Sequence, residues 1–495
     1  MTEKKYEKNQ IIEIQITDLG SEGEGIGKID GFPFFVKGAI PGDTIRASVM
    51  KVKKNLGYAR LQEIEKASCD RAMPECPVYG RCGGCQLMHL KYEAQLKYKE
   101  KKVRDALHRI GGVDEDVLNR VTEPIIGMGE GVLRYRNKAQ YPFGTDRDGN
   151  VVCGFYAGRT HSIISQTDCT LGHSVNREIL QCVLNWMKEF GIAAYDEVNG
   201  KGMLRHVLIR RGHYSGEIMV SLVINAEELP HAEELCQSLE KIDGMHSISY
   251  SINRKNTNVI MGDNYHVIWG KATIGDEIRR NESALQFDIS PLSFYQVNSI
   301  QMERLYSAAL EYAGLTGKET VWDLYCGIGT ISLFLAKEAR IVYGVEIVPQ
   351  AIEDAKENAK RNGIENVKFF TGAAEEILPK SNLPHPDVIV VDPPRKGCDY
   401  ACLDTMVKAG SQRIVYVSCD PATLARDVRF LRENGYELKR VRPCDMFPNT
   451  YHVETVCLLS NTQSKKKESY ITLDVEMADY YRIKNERKNS TTFSV

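Results

Sequence analysis

The chain has 495 residues, with 64 Lys and Arg against 66 Asp and Glu and a formal net charge of −2. That length predicts about two to four domains rather than one core, and the near-neutral balance excludes a uniformly basic nucleic-acid binder while leaving room for local basic faces. No apolar run approaches the roughly 20 residues that cross a bilayer, and the charged start MTEKKYEKNQ lacks the apolar stretch of a signal peptide. The expectation is therefore a cytoplasmic protein with no membrane partner. In that compartment the 14 cysteines are reduced thiols, metal ligands or catalysts rather than disulfides.

Residues 8–66 read as a small barrel. Short strands (IIEIQITDL, GFPFFV, DTIRASVMKV, GYARLQEIE) alternate with a glycine-rich turn at Gly20, Gly23, Gly25 and Gly27. Residues 67–290 form a central α+β region that opens on a cysteine-rich stretch containing Cys69, Cys76, Cys82 and Cys85 and then alternates helical and strand patterns. Three basic clusters carry aromatics. They are Lys97, Lys99, Lys101, Lys102 and Arg104 on a helix from Lys91 to Arg109; Lys51, Lys53 and Lys54 before Tyr58 and Arg60; and Arg134, Tyr135, Arg136 and Lys138. Each is a candidate face for RNA, although a single charge run is more often a solvated surface.

From 291 to 461 strands and helices alternate regularly, the signature of an α/β, doubly wound, mostly parallel sheet. Residues 462–495 are a polar tail. In VWDLYCGIGTISLFLA the glycines Gly327 and Gly329 sit between a strand and a helix, where glycine lets the backbone approach a ligand. Glu346 closes the next strand, where a carboxylate can take ribose hydroxyls. A dinucleotide site asks for a third glycine where this chain has Ser332. The D-x-x-C-G-x-G form from Asp323 to Gly329 therefore favours S-adenosylmethionine.

Two further loops follow strands. One is Asp392-Pro393-Pro394-Arg395-Lys396-Gly397, and the other is Ser418-Cys419-Asp420-Pro421. Both are expected to open at the same sheet edge as the glycine turn. A cysteine at a strand end before a helix lies near positive backbone dipole, which is expected to lower its pKa and favour the thiolate.

FYQVN at 294–298, DLYCGIGT, DPPRKG, SCDP and HVET at 452–455 together resemble the RNA (uracil-5-)-methyltransferase family, and the N-terminal barrel is similar to the TRAM (OB-like) domain of many members. The resemblance implies a Rossmann-like S-adenosylmethionine-dependent methyltransferase domain. It also implies Cys419 as a nucleophile adding to carbon 6 of uracil and Glu454 as the base that removes the carbon 5 proton. Gln296, Tyr325, Glu346 and Asp392 would contact the cofactor, and Cys326 matches no nucleophile position. The target would be a loop or flipped uridine in RNA, with no DNA and no obligate protein partner.

Cys76-x5-Cys82-x2-Cys85 needs a fourth ligand, and by spacing alone zinc or an iron–sulfur cluster is open. Family members that modify large-subunit ribosomal RNA have a similar run with a downstream ligand holding a [4Fe–4S] cluster. Cys169 matches that position, ahead of Cys153 and Cys69. The same analogy points to 23S rRNA processing over a tRNA substrate. Two rivals remain: a radical iron–sulfur enzyme, which would want CxxxCxxC, and a non-catalytic RNA-binding protein on a methyltransferase-like fold. The set Asp392, Cys419 and Glu454 argues against the second.

Overall fold

The first strand, Ile11–Leu19, buries Ile12, Ile14 and Ile16 and exposes the residues between them, the period-2 pattern of a sheet with one wet face. In the computed structural model it opens a closed five-stranded barrel, in the order Ile11–Leu19, Gly25–Ile29, Phe32–Lys37, Gly57–Lys66, Thr44–Val52. A Cβ on Gly27 would meet Gln15 O at 2.4 Å, so this barrel wall requires glycine there. The structure describes residues 6–462 except 159, 256, 258, 381 and 382, and leaves aside the side chains of 379 and 380. All but the first residue of the tail assigned to 462–495 lies outside the described residues.

The central sheet has seven strands in the order His266–Gly270, Met245–Ile252, Ile218–Ile224, Leu204–Arg211, Lys138–Thr145, Val151–Tyr156 and Ile163–Ser165. Its strand Ile218–Ile224 is buried throughout, as its run IMVSLVI demands. The second seven-stranded sheet runs Val367–Thr371, Ile341–Glu346, Thr320–Leu324, Val388–Val391, Arg413–Ser418, Glu454–Asn461, Tyr436–Cys444. Its first five strands are parallel, and Glu454–Asn461 returns antiparallel beside Arg413–Ser418. This is the doubly wound, mostly parallel sheet expected from the alternation of strands and helices.

Two earlier segments share the apolar core of this last sheet. The hairpin Ile274–Arg280/Ser283–Ile289 buries Ile278, Leu285 and Phe287 with Val321, Val342 and Val390. The helix Tyr92–Arg109 buries Val103 and Leu107 with Leu424 and Val428.

That helix corrects one expectation, because its cations do not form a single RNA face. Lys99 is fully buried and pairs with the equally buried Asp445, while also donating to Phe447 O at 2.9 Å. Lys101 bonds Asp18 and Asp105, and Arg104 bonds Asn119 and Glu115. A buried pair of this kind is costly to break from one side, so Lys99 is an internal strut that holds the stretch just before Glu454. Among the described residues no helix is long and apolar enough to cross a membrane.

Candidate active site

Parallel strands place their C-terminal ends on one edge, and three loops open there: 325–329, 392–399 and 419–420. The antiparallel strand Glu454–Asn461 begins at that edge. Its register pairs Thr455 with Ser418, which sets Glu454 beside Cys419. Glu454 is 3% exposed. Burial, then Asp392, push its carboxyl up to about 8, while Arg395 opposes them. Burial likewise raises Asp392 to about 6.

Cys419 is half-buried immediately before the helix Pro421–Glu433. Asp420 caps that helix, accepting from Ala422 N at 2.9 Å and Thr423 N at 3.0 Å. The sequence expectation of a lowered thiol pKa is corrected here. Burial, then Glu454 and Asp392, push Cys419 up to about 12, with Arg395 acting the other way. Two carboxylates and desolvation outweigh one helix terminus.

The glycine turn lies two strands away, beyond Val388–Val391. Tyr325, Gly327 and Gly329 have φ of 64°, 55° and 83°, and the positive φ at the non-glycine Tyr325 marks a tightly constrained turn. A Cβ on Gly329 would press on Phe369 at 3.1 Å and Ala355 at 3.3 Å, whereas one on Gly327 would enter open space. The Glu346 carboxylate accepts from Gly327 N at 3.2 Å and Val348 N at 3.0 Å, which holds it at the mouth of that space. A bare glycine facing open space beside an anchored carboxylate fits an adenosine-bearing cofactor. Gln296 is buried ahead of the helix Ser299–Ala313, and its carbonyl accepts from Asn137 Nδ2 at 2.9 Å. Cys326 is buried within the turn.

On this geometry Glu346→Ala is expected to weaken S-adenosylmethionine binding about ten- to a hundredfold, the value of a hydrogen bond to a charged group, with RNA affinity little changed. Unchanged cofactor affinity by calorimetry would remove Glu346 from the site.

The four cysteines predicted as ligands come from two distant segments. Cys76, Cys85 and Cys169 pack on one small cluster with Met88, Met128 and Tyr135. Cys82 and Cys85 each feel the charge of Cys76 and Cys169. Cys82 Sγ accepts from Gly84 N at 3.3 Å, and Cys169 accepts from the N–H groups of Leu171 and Gly172. The thiols are free. Among the described residues, however, no three His, Cys, Asp or Glu side chains close to a metal-binding group. The structure thus brings these thiols into one neighbourhood and shows no metal-binding group among the described residues. A sulfur-rich set with N–H donors matches thiolate ligation in its chemistry.

A family model described as tRNA (uracil-5-)-methyltransferase matches residues 214–462, and a TRAM domain model matches residues 5–61. An uncharacterised RNA methyltransferase of Halalkalibacterium halodurans is 50% identical over 455 residues, covering 91% of this chain and 97% of the relative. The chain belongs to the tRNA (uracil-5-)-methyltransferase family. A second uncharacterised RNA methyltransferase, from Clostridium acetobutylicum, is also 50% identical, over 91% of this chain and 97% of its own length. Among solved structures, the Pyrococcus abyssi tRNA (uracil-54, C5)-methyltransferase in complex with S-adenosyl-L-homocysteine superposes with a TM-score of 0.72 and 28% identity, covering 90% of this chain and 99% of that one. The chain is an RNA methyltransferase.

Within this methyltransferase, several residues around Cys419 carry no role in the sequence reading. Arg395 is the cation that acts on both Cys419 and Glu454, and Thr423 Oγ1 donates to its carbonyl at 3.2 Å, fixing the DPPRKG loop to the helix. Asp323, 1% exposed, accepts from Ser332 Oγ and is raised to about 7 by burial and by Asp392 and Glu346, with the Ser332 bond opposing. Tyr306 is buried beneath Asp323, Asp392 and Glu454 and bonds Thr330 Oγ1 at 3.2 Å. Arg395 was visible inside DPPRKG, but its proximity to a strand sixty residues on was not. Tyr306 lies mid-helix and carries no sequence signal of a site.

Proposed function

We propose that this enzyme methylates carbon 5 of a uridine in 23S ribosomal RNA, through a transient bond between Cys419 and carbon 6. The observation that carries this reading is the side-by-side placement of Cys419 and Glu454 at the sheet edge that also bears the Gly327–Glu346 cradle. S-adenosylmethionine, when bound, supplies an electrophilic methyl group and a positive charge. Glu346, Tyr325, Gln296 and Asp392 would hold it.

Carbon 5 of uracil is a weak nucleophile until a thiolate adds at carbon 6. The half-buried Cys419 thiol gives its proton to solvent and its sulfur forms that bond, while the ring electrons pass toward carbon 5 and the carbonyl. Carbon 5 then accepts the methyl group. Glu454 takes the carbon 5 proton, the carbon 5–carbon 6 double bond returns, and the Cys419 sulfur leaves with its electron pair. Arg395 favours both the thiolate and the ionised form of Glu454 that the base step needs.

Cys76, Cys82, Cys85 and Cys169 are proposed to hold a [4Fe–4S] cluster. The support is their convergence from distant segments together with the N–H donors on Cys82 and Cys169. Protein purified without air should carry iron and a brown absorbance, and Cys82→Ala or Cys169→Ala should abolish both. Stoichiometric zinc without iron would defeat this assignment. The second substrate reading is tRNA, which similarity to the Pyrococcus abyssi tRNA enzyme favours. Mapping 5-methyluridine in 23S rRNA and tRNA, with and without the protein, separates the two. A site lost from tRNA alone would overturn the ribosomal reading.

A further inference from the structure

The loop DPPRKG runs straight into Cys398 and Cys402, two cysteines that the proposed reaction leaves unused. Asp399 caps the helix Tyr400–Ala409 by accepting from Cys402 N at 2.8 Å. Cys398 therefore stands just ahead of the cap and Cys402 in the first turn. The chain at Cys398 is tied on both sides. Its N–H donates to Asp427 Oδ2 at 2.9 Å, and its carbonyl accepts from Arg426 Nη2 at 2.9 Å. Both side chains are buried, at 2% and 0% exposure, and both thiols are free.

The two sulfurs belong to one buried run of polar contacts that ends at the cofactor turn. The Tyr416 hydroxyl lies 2.6 Å from Asp427 Oδ2 and 3.6 Å from Cys398 Sγ. Cys398 and Cys402 are hydrogen-bonded to each other, and Cys402 is hydrogen-bonded in turn to Tyr325. Tyr325 is half-buried and packs on the same apolar core as both cysteines. The Cys398 bond outweighs burial and, with Tyr325, holds the Cys402 thiol below its ordinary value, while the Cys402 bond and burial push Cys398 up. One sulfur thus favours its thiolate and its neighbour keeps its proton, which are the roles of an attacking and a resolving cysteine.

We propose that Cys398 and Cys402 are a site of reversible oxidation by peroxide, and that the disulfide they form releases Tyr325 and loosens the cofactor. The Cys402 sulfur attacks one peroxide oxygen, the O–O bond breaks, and the departing hydroxide takes the thiol proton and leaves as water. Cys402 is then a sulfenic acid. The Cys398 sulfur displaces its hydroxyl, which leaves with the Cys398 proton as a second water, and the S–S bond forms. Two thiols are oxidised and one peroxide is reduced. A disulfide sulfur carries no charge and accepts weakly, so Tyr325 loses its partner. Because both sulfurs are buried, the oxidant is a small molecule that enters past Tyr325, a way that bound cofactor covers. The inference rests on Tyr325 touching the cofactor and adds a condition under which that contact is lost.

The test uses the full-length protein treated with hydrogen peroxide. The peptide that holds both cysteines should lose two hydrogens by mass spectrometry. S-adenosylmethionine affinity by calorimetry should fall about two- to tenfold, the value of one hydrogen bond, and return with dithiothreitol. By reciprocity, saturating S-adenosylmethionine should shift the pair toward the dithiol by the same factor in a glutathione titration. Cys398→Ser lacks the resolving thiol, so it should hold a dimedone-reactive sulfenic acid on Cys402 and form no cross-link. Tyr325→Phe should show the weakened affinity from the start and lose nothing further on oxidation. The absence of a Cys398–Cys402 cross-link would overturn the proposal, as would a cross-link that leaves affinity unchanged where Tyr325→Phe weakens it. A cross-link that forms while Tyr325→Phe binds the cofactor as the parent does would instead remove Tyr325 from the cofactor site, and the coupling with it.

Discussion

Cys419→Ala is expected to abolish methyl transfer and every covalent enzyme–RNA species, while Glu454→Gln is expected to accumulate one. The two residues lie just past the last pair, Ser418 with Thr455, of the ladder between Arg413–Ser418 and Glu454–Asn461, and Glu454 acts on the Cys419 thiol, yet the proposed reaction uses them at different moments. Without the sulfur no bond forms at carbon 6, and carbon 5 stays unreactive. With glutamine at 454 the sulfur still adds and the methyl group still transfers, but the carbon 5 proton has no acceptor and the adduct persists. The expected result is a denaturation-resistant protein–RNA band that depends on S-adenosylmethionine, carries the transferred methyl and maps to Cys419 rather than Cys326. Turnover of Glu454→Gln at the parent rate with no such band would place the base elsewhere. A band that survives in Cys419→Ala would mean that the nucleophile is another residue.

The second large effect is on pH. Glu454 is raised to about 8 by burial and Asp392, so at pH 6 most of it is protonated and unable to accept a proton. Release of methylated RNA from the covalent adduct, the step that needs Glu454 as base, should rise almost tenfold per pH unit below 8, roughly fiftyfold between pH 6 and pH 8. Asp392→Asn removes a carboxylate that raises both Glu454 and Cys419. Its rising limb should therefore shift to lower pH even though the absolute rate falls. A flat profile, or an unmoved limb in that variant, would separate the rate from Glu454.

The same burial affects stability. In the native chain Glu454 holds its proton to about 8, against a usual value of 4.5, so its contribution is fully present below about 4.5 and is lost as pH rises through about 8. Glutamine has no proton to lose. The stability margin of Glu454→Gln over the parent should grow between pH 4.5 and pH 8, by on the order of a few kcal/mol. Denaturant titration at both pH values measures it, and a margin that does not change with pH would contradict the buried, raised carboxyl.

The sequence by itself determined those features that local chemistry carries. Alternating Ile12, Ile14 and Ile16, punctuated by glycine, already specified a small barrel, because a strand with one wet face leaves a period-2 trace. The βα alternation after residue 320 specified a doubly wound sheet and hence the edge where DLYCGIGT, DPPRKG and SCDP open together. Other properties depend on groups far apart in the chain, and only the tertiary structure decided them. The Cys419 thiol is raised rather than lowered because burial desolvates it and Glu454 and Asp392 crowd it, and the local helix terminus is the weaker influence. Lys99, within a run of helical cations that read as basic surface, became an internal partner of Asp445 because that helix packs into the last domain's core. Cys169 came near Cys76, Cys82 and Cys85 through the folding of the central region. Local pattern fixes an element and its wet face, whereas charge, burial and coordination depend on what the rest of the chain brings within a few ångströms.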